Sequence, residues 1–231
     1  IIAGLVLLVL LRPDPLAVAN AIAENQKIND SNLLNENDKT QINNKRGIIL
    51  GATVMVITQI VMVAIMTMTP VHMRHHGHGL SDVGMVIGFH VAAMYLPSLV
   101  TGGLVDKLGR IVMTIAAGAT LMAAGLVAAF APSDSLLVLI IALVLLGLGW
   151  NFGLISGTAL IVDSTQPSNR AKTQGSVDVL VALAGVSGGG LSGIVVAQTS
   201  YAILSLAGGF LSLLLIPVVV WSRKKDDDFG N

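Results

Sequence analysis

The sequence predicts an all-α membrane protein with six complete helical spans, near 47–69, 81–105, 111–131, 135–161, 173–197 and 200–221. Composition, the spacing of charges and the sidedness of Lys and Arg predict it. Of 231 residues, 54% are hydrophobic and 11% charged, with a mean hydropathy of +0.81. A soluble domain carries about 25% charge, and a chain this apolar would expose large sticky patches to water. Asp, Glu, Lys and Arg are missing from Gly47–Met73, Val83–Val105, Ile111–Ser133, Ser135–Val162 and Val179–Ser222. A helix needs roughly 20 apolar residues to cross a bilayer. These runs do not alternate and are far longer than barrel strands of about 10 residues.

The same composition excludes several functions. There are no cysteines, which removes disulfide scaffolds, thiol catalysis and Cys-type zinc or iron–sulfur sites. The net charge is zero, so no global basic field invites nucleic acid. Disorder is incompatible with so much apolar surface.

The elements follow in order. Ile1–Leu11 carries no charge, but eleven helical residues reach only about 16 Å. It lacks the basic start and cleavage site of a signal peptide and reads as the end of a truncated span, so the chain is expected to belong to a longer protein. Residues 12–46 are rich in Asn, Asp, Glu and Lys and read as a solvated linker, with one short helical stretch around 15–28. Each of the next four uncharged runs holds one span. Gln198-Thr199-Ser200-Tyr201 divides the last, longer run into two. Residues 222–231 form a polar tail.

Six spans place the linker and the tail on one side. That side holds twelve of the 13 Lys and Arg residues, and the other holds only Arg74. By the positive-inside rule the linker and tail are cytoplasmic. The outer loops are then Thr69–Leu80, Pro132–Asp134 and Gln198–Ser200.

The second span ends in Gly102-Gly103-Leu104-Val105-Asp106-Lys107-Leu108-Gly109-Arg110. This resembles the G-x-x-x-D-[RK]-x-G-[RK] signature of the major facilitator superfamily, found between the second and third helices of each six-helix half. Here it lies between spans two and three, on the side the charges mark as cytoplasmic. Pro167-Ser168-Asn169-Arg170-Ala171-Lys172-Thr173-Gln174-Gly175 resembles the loop before the eleventh helix of many such transporters, with Pro167, Arg170 and Gly175 at its fixed positions. Gly149-Trp150-Asn151-Phe152 is similar to a stretch common in bacterial members.

The resemblance implies a six-helix C-terminal half, from the end of helix six through helix twelve. Residues 12–46 become the central cytoplasmic loop, and the N-terminal half of the same chain is a missing partner. It also implies a secondary transporter of a small organic solute in the bacterial inner membrane, and not an enzyme. No cofactor is expected. Nothing resembles a phosphate loop for ATP, so an ion gradient, with protons first, would supply the energy. In the family the Gly102, Asp106, Lys107, Gly109 and Arg110 loop acts as a latch between halves. Asp106 can meet a helix N-terminus, or pair with Lys107 or Arg110; the plainer alternative is a set of flanking charges.

Polar residues inside the spans are candidates for a cavity, because polar groups in lipid usually face a partner or water. Gln59 lies about 18 Å along the first span, and His90 about 13 Å in from the outer end of the second. Tyr95, Trp150 and Asn151 complete the solute candidates. His90 and Asp178 are the candidates for carrying a proton: an imidazole changes charge near neutral pH, and burial favours the protonated form of a carboxyl group. Pairing of Asp178 with Arg170 or Lys172, and interhelical hydrogen bonds for the others, are the bland alternatives. These residues fall on spans one, two, four and five, which match the family's cavity-lining helices.

Glycines four apart, at 149, 153 and 157 and at 185, 189 and 193, suit close helix packing in lipid. His72, His75, His76 and His78 crowd the first outer loop. Imidazoles bind divalent metals, but the nearest carboxylate is Asp82, so the reading is a wet loop or pH-sensitive gate with no metal. Two other functions compete with transport: a non-transporting remnant or half-transporter that must dimerise, and a metal-dependent membrane protein using the His loop.

Overall fold

A computed structural model describes residues 44–132 and 134–223, with side chains up to residue 220. The expected partial helix at 1–11, the linker up to residue 43 and the tail beyond 223 lie outside the described residues. All regular structure among the described residues is helical: α1 (Lys45–His75), α2 (Leu80–Tyr95), α3 (Ser98–Leu108), α4 (Arg110–Ala129), α5 (Leu136–Asp163), a 3₁₀ turn (Pro167–Asn169), α6 (Arg170–Gln198), α7 (Tyr201–Ser212) and α8 (Leu215–Arg223). Five stretches are each long and apolar enough to cross a membrane, and the bent pair α2–α3 makes a sixth span. The described residues form an all-α membrane bundle of six spans, with the bent pair taken as one.

α1 starts on a side-chain cap. The Asn44 carboxamide oxygen accepts from the backbone N–H of Arg46 at 3.2 Å and of Gly47 at 3.3 Å, satisfying donors that a first turn leaves open. α1 then runs 31 residues, about 46 Å, beyond the expected end at residue 69. Loss of hydropathy does not stop a helix; the stop comes at Gly77, whose φ is 84°. His78 N–H donates to the Met73 carbonyl and Gly77 N–H to that of Arg74, which is the glycine-closed end that satisfies the last carbonyls. The expected outer loop Thr69–Leu80 therefore shrinks to 76–79, and His72 and His75 ride on the helix.

The second span, expected to be continuous over 81–105, is broken. α2 and α3 meet at 42° around Leu96–Pro97. Proline has no N–H and its ring clashes with the preceding turn, so carbonyls before it lose their partners. The last span is likewise interrupted, between α7 and α8.

α1 and α5 form the centre. About half of the most apolar stretch of each is buried, against 17% for α6. Lipid gives helices no hydrophobic drive to associate, so close approach through small residues matters. A Cβ added to Gly51 would stand 2.6 Å from the Gly157 carbonyl oxygen, fixing the α1–α5 crossing. One on Gly125 would stand 2.5 Å from the Ser205 carbonyl oxygen, fixing α4 against α7. Gly149 abuts Leu121 and Gly153 abuts Thr58, whereas Gly193 meets nothing among the described residues. The first glycine series is fully engaged within this bundle and the second only in part.

Candidate functional site

Of the polar residues singled out inside the spans, three share one corner. Trp150 of α5 donates its indole N–H to the Gln59 side-chain oxygen of α1 at 2.7 Å. The Tyr95 ring meets Trp150 edge to face, with centroids 6.0 Å apart and planes at 75°. Trp150 is buried, while Tyr95, the last residue of α2, is 58% exposed. α6 closes the corner with Gly185, where a Cβ would lie 3.1 Å from Gln59 Nε2. Residues from α1, α2, α5 and α6 thus meet at one level.

His90 and Asn151 do not line an open space, which corrects the cavity reading for both. His90 is 0% exposed. Its Nδ1 lies 2.8 Å from the Leu143 carbonyl oxygen of α5. A carbonyl only accepts, so Nδ1 carries the hydrogen, and Nε2 is left without a partner. Asn151 is 2% exposed. Its Nδ2 donates to the Met94 carbonyl at 2.8 Å, and its Oδ1 accepts from Thr101 Oγ1 at 2.7 Å. Thr101 Oγ1 also lies 2.9 Å from the Pro97 carbonyl oxygen, so its single hydrogen is shared. The Ser98 hydroxyl bonds the Tyr95 carbonyl. Side chains thus take up carbonyls freed by the break, and Asn151 reaches both sides of it.

These contacts form one seam. On α5, residues 143, 147 and 151 face α2 at four-residue intervals: a Cβ on Gly147 would meet the His90 carbonyl oxygen at 2.7 Å. Trp150 and Asn151 are neighbours, as are Met94 and Tyr95, so the seam also sets how the two aromatic rings meet.

Asp178 does not pair with Arg170 or Lys172. It is exposed, and its Oδ1 accepts from Gln174 Nε2 at 3.0 Å, one turn back on α6. Pro167 opens the 3₁₀ turn that leads into α6. Arg170 donates to the Thr165 carbonyl at 3.3 Å and, with Gln174, lines a small apolar cavity of about 240 Å³. Nothing crowds Gly175.

In the loop between α3 and α4, Arg110 bridges two carboxylates. Its Nη2 lies 3.4 Å from Asp106 Oδ1, and its Nε 2.8 Å from Asp163 Oδ2 at the end of α5. Gly109 has φ of 91°, a conformation costly for residues with a Cβ. Lys107 is exposed in the last turn of α3, and Gly102 meets nothing among the described residues. Asp163 and Thr101 escaped the sequence reading. Antiparallel spans bring the start of one beside the end of the next, so a carboxylate ending the fourth span was the available signal for Asp163. Thr101 carried none, because threonine is common in spans.

At the opposite end, His72 stacks on Tyr201 of α7 (centroids 4.4 Å, planes 18° apart), and the His76 ring is tilted against His72 with centroids 4.4 Å apart. The Tyr201 hydroxyl is 2.9 Å from that of Thr69. His72, His75 and His76 border an open cavity of about 640 Å³ between α1 and α6, and His78 Nδ1 lies 4.0 Å from Asp82. Among the described residues no three His, Asp or Glu side chains are grouped to hold a metal. His72 is packed on Tyr201, while His75 and His76 are exposed at the end of the helix.

Residues 51–229 match the model of the Major Facilitator Superfamily. Two Bacillus subtilis (strain 168) relatives, both described as uncharacterized MFS-type transporters, are similar over nearly the whole chain. YdeG is 68% identical over 223 residues, covering 96% of this chain and 51% of YdeG. YddS is 65% identical over 221 residues, with the same shares. The riboflavin transporter RfnT of Brucella anthropi is 35% identical over 138 residues, 58% of this chain and 33% of RfnT. The chain spans about half the length of the first two relatives. With six apolar spans among the described residues and the glycine-carboxylate-arginine loop between the second and third, the chain belongs to the Major Facilitator Superfamily.

Proposed function

We propose that these residues are the C-terminal half of a secondary active transporter that moves a small organic solute by alternating access, driven by protons. The observation that carries this reading is the convergence of Gln59, Tyr95 and Trp150, with Gly185, inside the spans. Polar groups in lipid are costly and are kept where they serve a cavity or partner. The wide apolar faces of α6 (Val179, Leu183, Val186) and of α2–α3 (Phe89, Leu96, Leu99), all exposed in this bundle, are where an N-terminal half of the same chain would pack. Arg110, clamped between Asp106 and Asp163, would hold the loop that latches the halves. The lysine-rich and arginine-rich side would face the cytoplasm, with the protein in the bacterial inner membrane.

Asp178 is the more reachable proton site, being exposed on α6; His90 would take a proton only when its contact with α5 opens. One relative is named for riboflavin, which makes riboflavin the first solute to test. Uptake into vesicles carrying the intact protein should rise when a pH gradient is imposed. His90→Gln with Asp178→Asn should abolish that rise while leaving gradient-free exchange. Gradient-driven uptake unchanged in the double variant would remove both residues from coupling.

A further inference from the structure

We propose that the solute met by the Gln59–Tyr95–Trp150 corner is a flat, uncharged heteroaromatic molecule with hydrogen-bond acceptors on its edge; this rests on the transporter reading above. An indole N–H can only donate, so the Gln59 atom 2.7 Å from Trp150 Nε1 is the amide oxygen. That bond fixes the planar amide and turns Nε2, a donor, away from Trp150. Gly185 lets α6 come close to it, since a Cβ there would stand 3.1 Å from Nε2. Neither Gln59 Nε2 nor the Tyr95 hydroxyl has a hydrogen-bond partner among the described residues, and neither is sealed from its surroundings. The Trp150 donor is already used. What the corner offers is therefore one amide donor and one phenol, set on an aromatic wall.

The wall favours a ring. The Trp150 and Tyr95 planes stand at 75° with centroids 6.0 Å apart, so a flat molecule laid parallel to the exposed Tyr95 ring meets Trp150 at a steep angle, a tilted geometry that aromatic pairs prefer. The charges favour a neutral molecule. The Asp, Glu, Lys or Arg nearest in sequence to the corner's residues is Asp178, seven positions before Gly185 on α6, about 10 Å along the helix, where it accepts from Gln174. His90 is closer, but its ring faces Leu143 and is fully buried. An ion at this corner would find no counter-charge from these residues in a medium where unpaired charge is costly.

Lumichrome tests this: it is flat and uncharged, has carbonyl and ring-nitrogen acceptors, and reports its own binding by fluorescence anisotropy with the intact protein in detergent. Lumichrome is expected to bind and to resist displacement by 2-naphthoate (flat, charged) and by glucose (uncharged, not flat). Gln59→Glu keeps an acceptor for Trp150 but replaces the donor with an acceptor, and should weaken binding about tenfold, the scale of one lost hydrogen bond. Tyr95→Phe, at an exposed side chain, keeps the ring and should weaken it several-fold, which covers the case in which Gln59→Glu fails to fold. Unchanged affinity in both variants, or equal competition by naphthoate or glucose, would overturn the inference. A protein that ignores lumichrome yet takes up another solute under a pH gradient would overturn the class and leave the transporter reading standing. One that binds lumichrome but moves no solute would do the reverse.

Discussion

The carboxamide of Asn151 bonds backbone on one side of the Pro97 break and a side chain on the other, inside a sealed contact. Asn151→Leu would leave the Met94 carbonyl without its side-chain donor, while the Thr101 hydroxyl keeps the Pro97 carbonyl, and a buried unsatisfied group costs about 1–3 kcal/mol. Thermal unfolding in detergent should show that loss, with a smaller one, about 1 kcal/mol, for Thr101→Val. Because the two side chains share one bond, the double substitution should cost less than the two effects added; strict additivity would mean the bond contributes nothing. Gly109→Ala should cost about 1–3 kcal/mol, because φ 91° with ψ 152° is a conformation that essentially only glycine adopts, and should loosen the Arg110 clamp. At this scale the sequence was legible in part. It marked Gln59, Tyr95, Trp150, His90 and Asn151 as polar groups in lipid, which is a statement about cost. It could not say which way each side chain turns, and that sorted His90 and Asn151 into a helix seam and the other three into the corner.

Span existence was the most legible feature of the elements, because a bilayer demands long uncharged runs and the gaps between charges display them directly. Breaks inside spans were not legible, since hydropathy averages over about nineteen residues and a two-residue break leaves the average unchanged. Pro97 was the local signal, but prolines are tolerated in membrane helices when side chains take up the freed carbonyls, and here those side chains come from α5 as well as α3. The end of α1 was misplaced for a related reason: a histidine-rich stretch leaves the lipid but remains helical until Gly77. Close crossings give this scale its prediction. Gly125→Val would press a branched side chain against the Ser205 carbonyl and Gly209. Backbone cannot yield as a flexible side chain does, so the loss should be about 1–3 kcal/mol, read as a lower unfolding temperature, whereas Gly190→Val, where nothing crowds the site, should be close to neutral.

For the whole molecule, the absence of cysteine in the sequence makes orientation directly readable. Single cysteines in place of His76 and Asp134 should react with a membrane-impermeant maleimide added outside intact cells, and one in place of Lys107 only after the membrane is opened. Reaction of all three from outside would contradict the assigned orientation. If the exposed apolar faces of α6 and α2–α3 pack against a second half, as proposed, the solute site is shared with that half and transport is not deducible from these helices alone. The most direct measurement is proton movement linked to solute. Vesicles containing the intact protein are given a pH gradient, followed with an internal pH-sensitive dye, and lumichrome is then added. Faster collapse of the gradient, abolished by Gln59→Glu, is the predicted result. A gradient that decays at the same rate with and without the solutes tested would contradict proton-coupled transport.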